Sequence, residues 1–580
     1  WTNVDNGIFE WASSLNPTYP IYDPASESGY YMILNQPYFK NPVAEVNLRD
    51  NSNSSSLMLA NVSLKLNLTD HWSVTAQTAY KHVKNKSENF VSKLHRESLE
   101  NHYNGTASHS FSQAMDKMLD LTTNYDRRFG RHNLNAVLGY SFQEFNGDNF
   151  SASNSDFQVD GLGPWDLGAG TYLSDGKAGM GSYKSPTTRL IAFFGRVNYS
   201  FDDRYLVTLK LRVSYGTTGN QGFNTNTAYR MYSKDSWTYY NGQWMTVYGL
   251  MHNQNRDMKW EIKKEFDVGL DFSLFNRRLS GRMDYFSRKI EDAIYSGIPV
   301  ASPPAVYATS TVNIGDITNK GFEFELNGRV VDTKDWTFDT SLVGSFVGKS
   351  RLEGMAKDTH MEFQAMPHGG GSAVRIFGGQ EIGRYFLYRF AGVREEDGTP
   401  MIYSKDNKVI PYASGTDEDR VQTGNGLPKA VLSWNNTVRY RNWDLNLFFR
   451  SWLGQDVYNV TDMIQGVNCK ITEGQNLLRT AYRRNKAITN TDRLMLLDYW
   501  LEKGDFLKLD AVTLGYTLPR NKIKYVEKLR CYFTVRNVCT LTGYSGLDPE
   551  VNVNGLAPGF EGMSQYPRTR SFILGIEIGF

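Results

Sequence analysis

The chain has 580 residues, too many for one ordinary hydrophobic core, so several domains or one very large architecture is expected. Its 63 Lys and Arg nearly balance 61 Asp and Glu, which excludes a nucleic-acid binder working through a basic surface. No run approaches 18 consecutive apolar residues, as a transmembrane helix requires, yet 14% of the residues are aromatic, which points to many strands or to interfacial belts.

Residues 1–54 read as a long extracellular or lumenal loop region. The chain opens on Trp1 with no secretory signal, as a mature form or a fragment does. From residue 55 to 580 alternating strands recur. In "ANVSLKLNL", Ala60, Val62, Leu64, Leu66 and Leu68 share a face. In "NAVLGYSF" the face is Ala136, Leu138, Tyr140 and Phe142. "FDVGLDFSL" sets Phe266, Val268, Leu270, Phe272 and Leu274 against Asp267, Gly269, Asp271 and Ser273. "FEFELNGRV" sets Phe322, Phe324 and Leu326 against Glu323, Glu325 and Asn327, and "WDLNLFFR" aligns Trp443, Leu445, Leu447 and Phe449. The chain closes on "RTRSFILGIEIGF", where Phe572, Leu574, Ile576, Ile578 and Phe580 share one face.

The strands are expected to be about 10 residues long, the length of a tilted membrane-spanning strand. They pair across short turns: "LTDHW" at 68–72, "FGRHN" at 129–133, "FDDRY" at 201–205, "LFNRRL" at 274–279, "VDTKDW" at 331–336 and "YRNWD" at 440–444, with a longer one near 518–526. Between the pairs lie long loops, roughly 84–116, 144–187, 217–263, 290–316, 349–426, 455–504 and 540–568. Short turns on one side and long loops on the other are the signature of an outer-membrane barrel, an antiparallel all-β transmembrane fold. A soluble sandwich shows no such asymmetry.

Seven hairpins and a final strand make an odd count, whereas closed bacterial barrels have even counts. The expectation is an incomplete, C-terminal portion of a barrel that lacks N-terminal strands. "DRYLVTLKLRVSYG" is a long strand with no turn, as if two pieces were joined over a missing segment near 208–209.

Several stretches resemble SusC-like (RagA/SusC) TonB-dependent transporters of the Bacteroidetes outer membrane. They are "RLIAFFGRVNYSFDDRYLVT" (189–208), "LKLRVSYGTTGNQ" (209–221), "DMKWEIKKEFDVGLDFSLFNRRLSGRMDYF" (257–286), "NIGDITNKGFEFELNG" (313–328), "DFLKLDAVTLGYTLP" (505–519) and "YPRTRSFILGIEIGF" (566–580). "GQEIGRYFLYRFAGV" (379–393) also resembles a structural segment of the family. The resemblance implies a barrel of about 22 strands when complete, around a plug domain that this chain lacks. It implies active import of an oligosaccharide or peptide, with a SusD-like surface lipoprotein as lid, TonB, ExbB and ExbD as the energy source, outer-membrane lipid around the wall, and pairs of transporter and lipoprotein that dimerise. It also implies that the terminal face ending in Phe580 is the barrel-assembly signal. A receptor for a siderophore or cobalamin shares the architecture, and an outer-membrane enzyme or an adhesive barrel are further alternatives.

No catalytic constellation stands out, and no cofactor is called for. Cys469, Cys531 and Cys539 are too few and irregular for a disulfide framework or zinc site. The acidic runs 395–397 and 417–419 lack the spacing of a calcium loop, and "REEDGTPMIYSKDNKV" reads as a hairpin with Asp-Gly and Asp-Asn turns. "HGGG" at 368–371 resembles an esterase oxyanion loop, but no G-x-S-x-G elbow accompanies it. The candidate contact site is "DSWTYYNGQW", where Trp237, Tyr239, Tyr240 and Trp244 offer flat apolar faces beside polar tips, suited to a sugar ring or a partner surface. Packing within the loop or in an interfacial belt is the alternative role.

Overall fold

A strand that alternates apolar and polar residues can face lipid on one side and water on the other. Most of the chain is built from such strands. The structure is a computed structural model. It describes the chain except residues 1–6, 36–39, 131, 160–162, 175–177, 186, 202–207, 220–224, 302, 304, 356–359, 367–370, 469–475, 489–494, 520–525, 527, 563–566 and 580, and the side chains of some further residues. Two compact units are present, one built chiefly on Trp1–Tyr205 and the other on Leu206–Asn468, Leu478–Gly562 and Pro567–Phe580.

The first unit is an antiparallel wall of β1 (Arg49–Thr69), β2 (Trp72–Val91), β3 (Thr106–Phe129) and β4 (His132–Ser155). The upper part of β4 then pairs with β5 (Gly179–Lys184) and its lower part with β6 (Thr188–Phe201). Register places Leu64, Ala76, Leu121, Tyr140 and Phe193 in one cross-strand row and Val62, Thr78, Leu119, Phe142 and Ile191 in the next. These rows form an apolar face that is exposed among the described residues: Leu64 is 70% exposed and Phe193 81%.

The strands of this wall run 20 to 24 residues from β1 to β4, about twice the expected length. The loops expected at 84–116 and 144–187 shrink accordingly to 92–105 and 156–178. Above the apolar rows the ladder continues through polar rungs such as Ser55–Asn85 and Gln113–Asp148, each 2.8 Å. Side chains of this kind satisfy a strand in water as well as a loop would, so hydropathy alone marks only the apolar part of each strand.

The second unit begins with β7 (Thr208–Gly219), then the hairpin β8 (Tyr232–Tyr240) and β9 (Gln243–Leu250), then β10 (Ile262–Leu274) and β11 (Leu279–Glu291). A small hairpin, β12 (Ile294–Pro299) and β13 (Thr309–Asn313), precedes β14 (Asp316–Asp332), β15 (Trp336–Val347) and the short β16 (Arg351–Glu353). Next come β17 (His360–Ala365), β18 (Ser372–Phe377), β19 (Tyr385–Val393), β20 (Pro400–Tyr403), β21 (Val409–Pro411) and β22 (Arg420–Thr423). The rest are β23 (Ala430–Tyr440), β24 (Trp443–Leu453), β25 (Asp456–Tyr458), β26 (Leu501–Lys503), β27 (Phe506–Thr517), β28 (Lys528–Thr542) and β29 (Ser571–Gly579). The wall of this unit runs β7-β10-β11-β14-β15-β23-β24-β27-β28-β29, antiparallel throughout.

Direct partners across this wall line up Leu209, Phe272, Gly281, Leu326, Leu342, Trp434, Phe449 and Leu509 on one face. Gly281 is required there, because a Cβ would stand 2.6 Å from the Phe272 ring that crosses over it. At the short-turn end Trp336 lies 4.4 Å from Tyr440 and Trp443 4.8 Å from Tyr516, an aromatic girdle of the kind found at a membrane interface. On β29, Phe572, Leu574, Ile576 and Ile578 share the apolar face and are 50–79% exposed. Phe580 lies outside the described residues.

The long connections of this unit are folded. Segments from 349–426, 455–504 and 543–562 form a cap with a dry core in which Ile376, Tyr385, Leu387, Ile402, Tyr458, Leu497 and Trp500 are fully buried. The hairpin read from "REEDGTPMIYSKDNKV" is present as β19-β20-β21, with Gly398 and Asn407 at positive φ in its turns. The cap is fastened to the wall by ion pairs. Lys508 of β27 is 1% exposed and meets Asp548 and Glu550, each at 2.9 Å, while Arg450 of β24 binds Glu550 at 2.9 Å.

Leu447→Arg, in the middle of the apolar face, should cost about 2–4 kcal/mol in denaturant unfolding of the micelle-bound protein. Ser341→Lys, on the polar face, should leave the midpoint nearly unchanged. Equal costs would show that the two faces are misassigned. In the cap, Glu561 is buried, and loss of solvent raises its carboxyl pKa above the ordinary value against the hydrogen bonds from Tyr544 and Thr461. The folded cap therefore holds a proton that the unfolded chain releases, and its stability falls as pH rises above the unfolded value of about 4.3. In Glu561→Gln, hydrogen-exchange protection of 543–562 should lose that decline as pH is raised from about 4.3.

Candidate functional site

The polar face of the second wall is lined by paired charges. Arg212 of β7 donates to Asp284 at 2.6 Å and to Asp271 at 3.0 Å. Arg329 and Arg439 share Asp339, at 2.9 and 3.3 Å. Arg530 meets Asp444 at 2.6 Å, and Lys528 meets Glu577 at 2.6 Å. Between these pairs run uncharged rungs, such as Thr513 to Thr534 at 2.8 Å and Asn446 to Thr437 at 2.9 Å. Alternation places these residues here, because each sits one position from a residue of the apolar face. Asp271, Glu323 and Glu325 were legible as polar-face residues in the sequence; the Arg212 partner of Asp271 was not, since it lies on a neighbouring strand.

Two open cavities lie on this face toward the short turns. One, of about 620 Å³, is lined by Arg277, Arg278, Arg329, Asp339 and Asn435 among others. The second, of about 560 Å³, is lined by Arg439, Arg441, Asp444, Arg530 and Glu577 among others. Their walls carry hydrogen-bonding groups of both signs. Such a surface stays wet and suits polar, oxygen-rich ligands.

The hairpin β8–β9 carries the aromatic stretch singled out from sequence. Asn241 and Gly242 both have positive φ, 48° and 80°, as a two-residue I′ turn demands. Tyr239 stands opposite Trp244 and Trp237 opposite Thr246, so these positions fall on one face. Tyr240, opposite Gln243, falls on the other, which divides the set. Tyr239 and Tyr240 are 61% and 70% exposed, and the side chains of Trp237 and Trp244 lie outside the described residues. Sequence reasoning missed Tyr248, which is 66% exposed and shares the Trp244 face; its spacing of four from Trp244 was the available signal. Asn253 pins the base of the hairpin's return to the neighbouring loop, donating to the Tyr307 and Thr309 carbonyls at 2.6 and 2.8 Å.

The aspartates of the acidic runs are committed to protein contacts. Asp397 accepts from Arg394, Asp417 pairs with Arg375 and Arg420, and Asp419 accepts from Thr416 and the Lys405 amide. Residues 368–370 of "HGGG" lie outside the described residues. No group of three metal-ligating side chains occurs among the described residues.

Comparison with known proteins agrees with this geometry. TonB-dependent receptor P3 of Formosa agariphila is 25% identical over 554 residues, covering 82% of this chain and 53% of its own. TonB-dependent receptor SusC of Bacteroides thetaiotaomicron is 24% identical over 677 residues, covering 98% of this chain and 62% of its own. The solved RagAB peptide transporter superposes with a TM-score of 0.78 at 19% identity, over 95% of this chain and 65% of that one. The chain thus spans between half and two-thirds of the length of these relatives. The family described as TonB dependent receptor-like, beta-barrel matches residues 211–538, more than half of the chain. The chain therefore belongs to the TonB dependent receptor-like β-barrel family and is part of a transmembrane β-barrel of the bacterial outer membrane.

Proposed function

We propose that the protein imports a nutrient, an oligosaccharide or a peptide, across the outer membrane in a TonB-dependent step, with a SusD-like lipoprotein on its extracellular side, and that it is not an enzyme. The observation that carries this reading is the wall itself: an apolar face toward lipid and, one residue away, a face of paired charges and polar rungs suited to a wet passage. Likeness to a SusC and to a peptide transporter supports the two cargo classes. TonB, ExbB and ExbD supply the energy, and the transporter–lipoprotein pair forms a dimer. The exposed tyrosines of β8–β9 receive the cargo or the lipoprotein, and the face of Phe572 to Ile578 is read by the assembly machinery.

The same reading holds that two strands are missing near 208–209. β6 pairs with β4 and β7 with β10, and no ladder joins β6 to β7 among the described residues. The alignment with SusC spans 677 positions against 580 residues here, so at least 97 positions of SusC have no counterpart. Peptide mapping of the native protein should return a peptide that runs from Leu206 into residues absent from this sequence. A peptide covering 204–212 without interruption would reject the missing segment.

Uptake is the second test. Cells supplied with labelled oligosaccharides or peptides should accumulate one class only when the gene is intact, and should lose uptake with a protonophore or without TonB. Tyr239→Ala with Tyr240→Ala should raise the half-saturating cargo concentration or weaken lipoprotein copurification about tenfold, the effect of about 1.4 kcal/mol of lost contact. Accumulation of an iron chelate alone would move the protein to the siderophore receptors.

A further inference from the structure

The strands of the first wall keep one register from end to end. β2 pairs with β3 over its whole length without a bulge, and β3 pairs with β4 in the same way. Alternation therefore carries each face past the apolar rows toward the connections at 92–105 and 156–178. On the face opposite the apolar rows, direct partners make a row of Ser55, Asn85, Ser112, Asn149 and Tyr183 across β1 to β5. The next row is Asn53, Ser87, Ser110, Ser151 and Gly181. A third runs from Asn51 through Asn89 and Ser108 to Ser153 and Gly179. None of the three rows carries a charged side chain. The intervening positions of the same strand segments do, with Lys84, Lys86, Glu88, Asp148 and Lys184 on the other face. The lack of charge thus belongs to one face and not to this end of the wall.

Much of the hydrogen-bonding capacity of this field is unspent. Ser55 donates to Asn85 at 2.8 Å and Asn85 to Ser112 at 3.4 Å, which holds the Asn85 amide along its row. Asn53, Ser110, Asn149 and Ser151 are exposed, and their side chains have no hydrogen-bond partner among the described residues. An open cavity of about 270 Å³ lies here, lined by Asn53, Ser55, Asn85, Ser87, Ser110 and Ser112 among others. Lys86 borders it but sends its ammonium to Glu88 and the Trp165 ring on the opposite face. Asn154 and Trp165 hold the loop 156–178 on that opposite face too, which leaves the field open. Toward the short turns the field is bounded by an apolar row of Leu57, Val83 and Ala114, and at β5 by Tyr183, 55% exposed.

This chemistry selects among ligands. Serine hydroxyls and asparagine amides both donate and accept. A ligand built of hydroxyls does the same, so it exchanges bonds to water for bonds to protein and leaves no group unpaired. A carboxylate, phosphate or ammonium placed here meets no counter-charge, and its lost hydration goes uncompensated. The C–H faces of a sugar ring find the Tyr183 ring and the apolar row. We infer that this field is a binding surface for neutral oligosaccharide, and that the cargo is an uncharged glycan rather than a peptide or an acidic glycan. The inference rests on the import reading above and adds to it the class of cargo and the place where the wall holds it.

The test uses cells that make the whole native protein, offered three labelled probes in parallel: a pool of neutral hexose oligosaccharides, a pool of uronate-containing oligosaccharides and a peptide library of mixed charge. Only the neutral pool should accumulate above the level of a gene deletion. Asn85→Lys with Ser110→Lys, at two exposed positions, should lower that accumulation at least fivefold. Lys84→Gln, on the opposite face, should leave it at the parental level, with heat-modifiable gel mobility confirming that each variant is folded. Accumulation of peptides or of the uronate pool to the level of the neutral pool overturns the inference and leaves import standing. So does neutral uptake that the lysine pair does not change. Accumulation of none of the three probes removes the import reading itself, and this inference with it.

Discussion

Backbone amides and carbonyls in a hydrocarbon layer find no water, so each must be bonded within the protein. That single constraint explains the uniform ladders here. Every wall strand within the two units pairs antiparallel with its neighbours, and the apolar face needs nothing more than side chains that lipid tolerates. It also explains why the large exposed residues are not a defect. Leu574 at 79% exposure and Phe193 at 81% would be aggregation hazards on a soluble edge or face, whereas in lipid they are solvated.

The same constraint lifts where the strands emerge, and the chain then obeys the rules of a soluble protein. Among the described residues, the cap of the second unit holds most of the fully buried ones, including Trp500, Tyr385 and Tyr458, and it covers Lys508 of β27, which is 1% exposed. An ammonium taken out of water is tolerated only with partners, and Lys508 has Asp548 and Glu550 from a distant loop. Arg568 reaches the same two carboxylates at 3.0 and 3.1 Å. Four ion-pair contacts from these two cations thus converge on Asp548 and Glu550 and join this loop to the wall.

Much of this was legible in the sequence because period-2 alternation is a local signal. The turns at 68–72, 274–279, 331–336 and 440–444 and the face of β10, β14, β24 and β29 follow from it directly. What alternation cannot show is how far a strand continues once its residues are polar on both faces. That is why β1 to β4 were expected at half their length. Nor can it show partners that meet only through register, such as Arg212 with Asp284, or Lys508 with Asp548 at a separation of 40 residues. The aromatic hairpin was legible as a cluster, but its two faces emerge only when the turn residues Asn241 and Gly242 fix the register.

The length of the first wall has a physical consequence of its own. A strand ladder standing in water gains no lipid contact, and its polar rungs gain little over solvation. Twenty-residue strands therefore need something beyond the membrane to repay their ordering. In the first unit part of that return comes from the loop folded back onto the strands: Phe157 is wholly buried and Asn154, at 4% exposure, spends its amide on two loop carbonyls. Trp165 takes no share in that burial, for it stands 71% exposed at the end of an anchored turn. What holds the indole is contact with the strands below it, the Lys86 ammonium 5.2 Å from its ring centre and the His109 ring edge-on at 5.8 Å, so even this turn is ordered by the ladder it lies on.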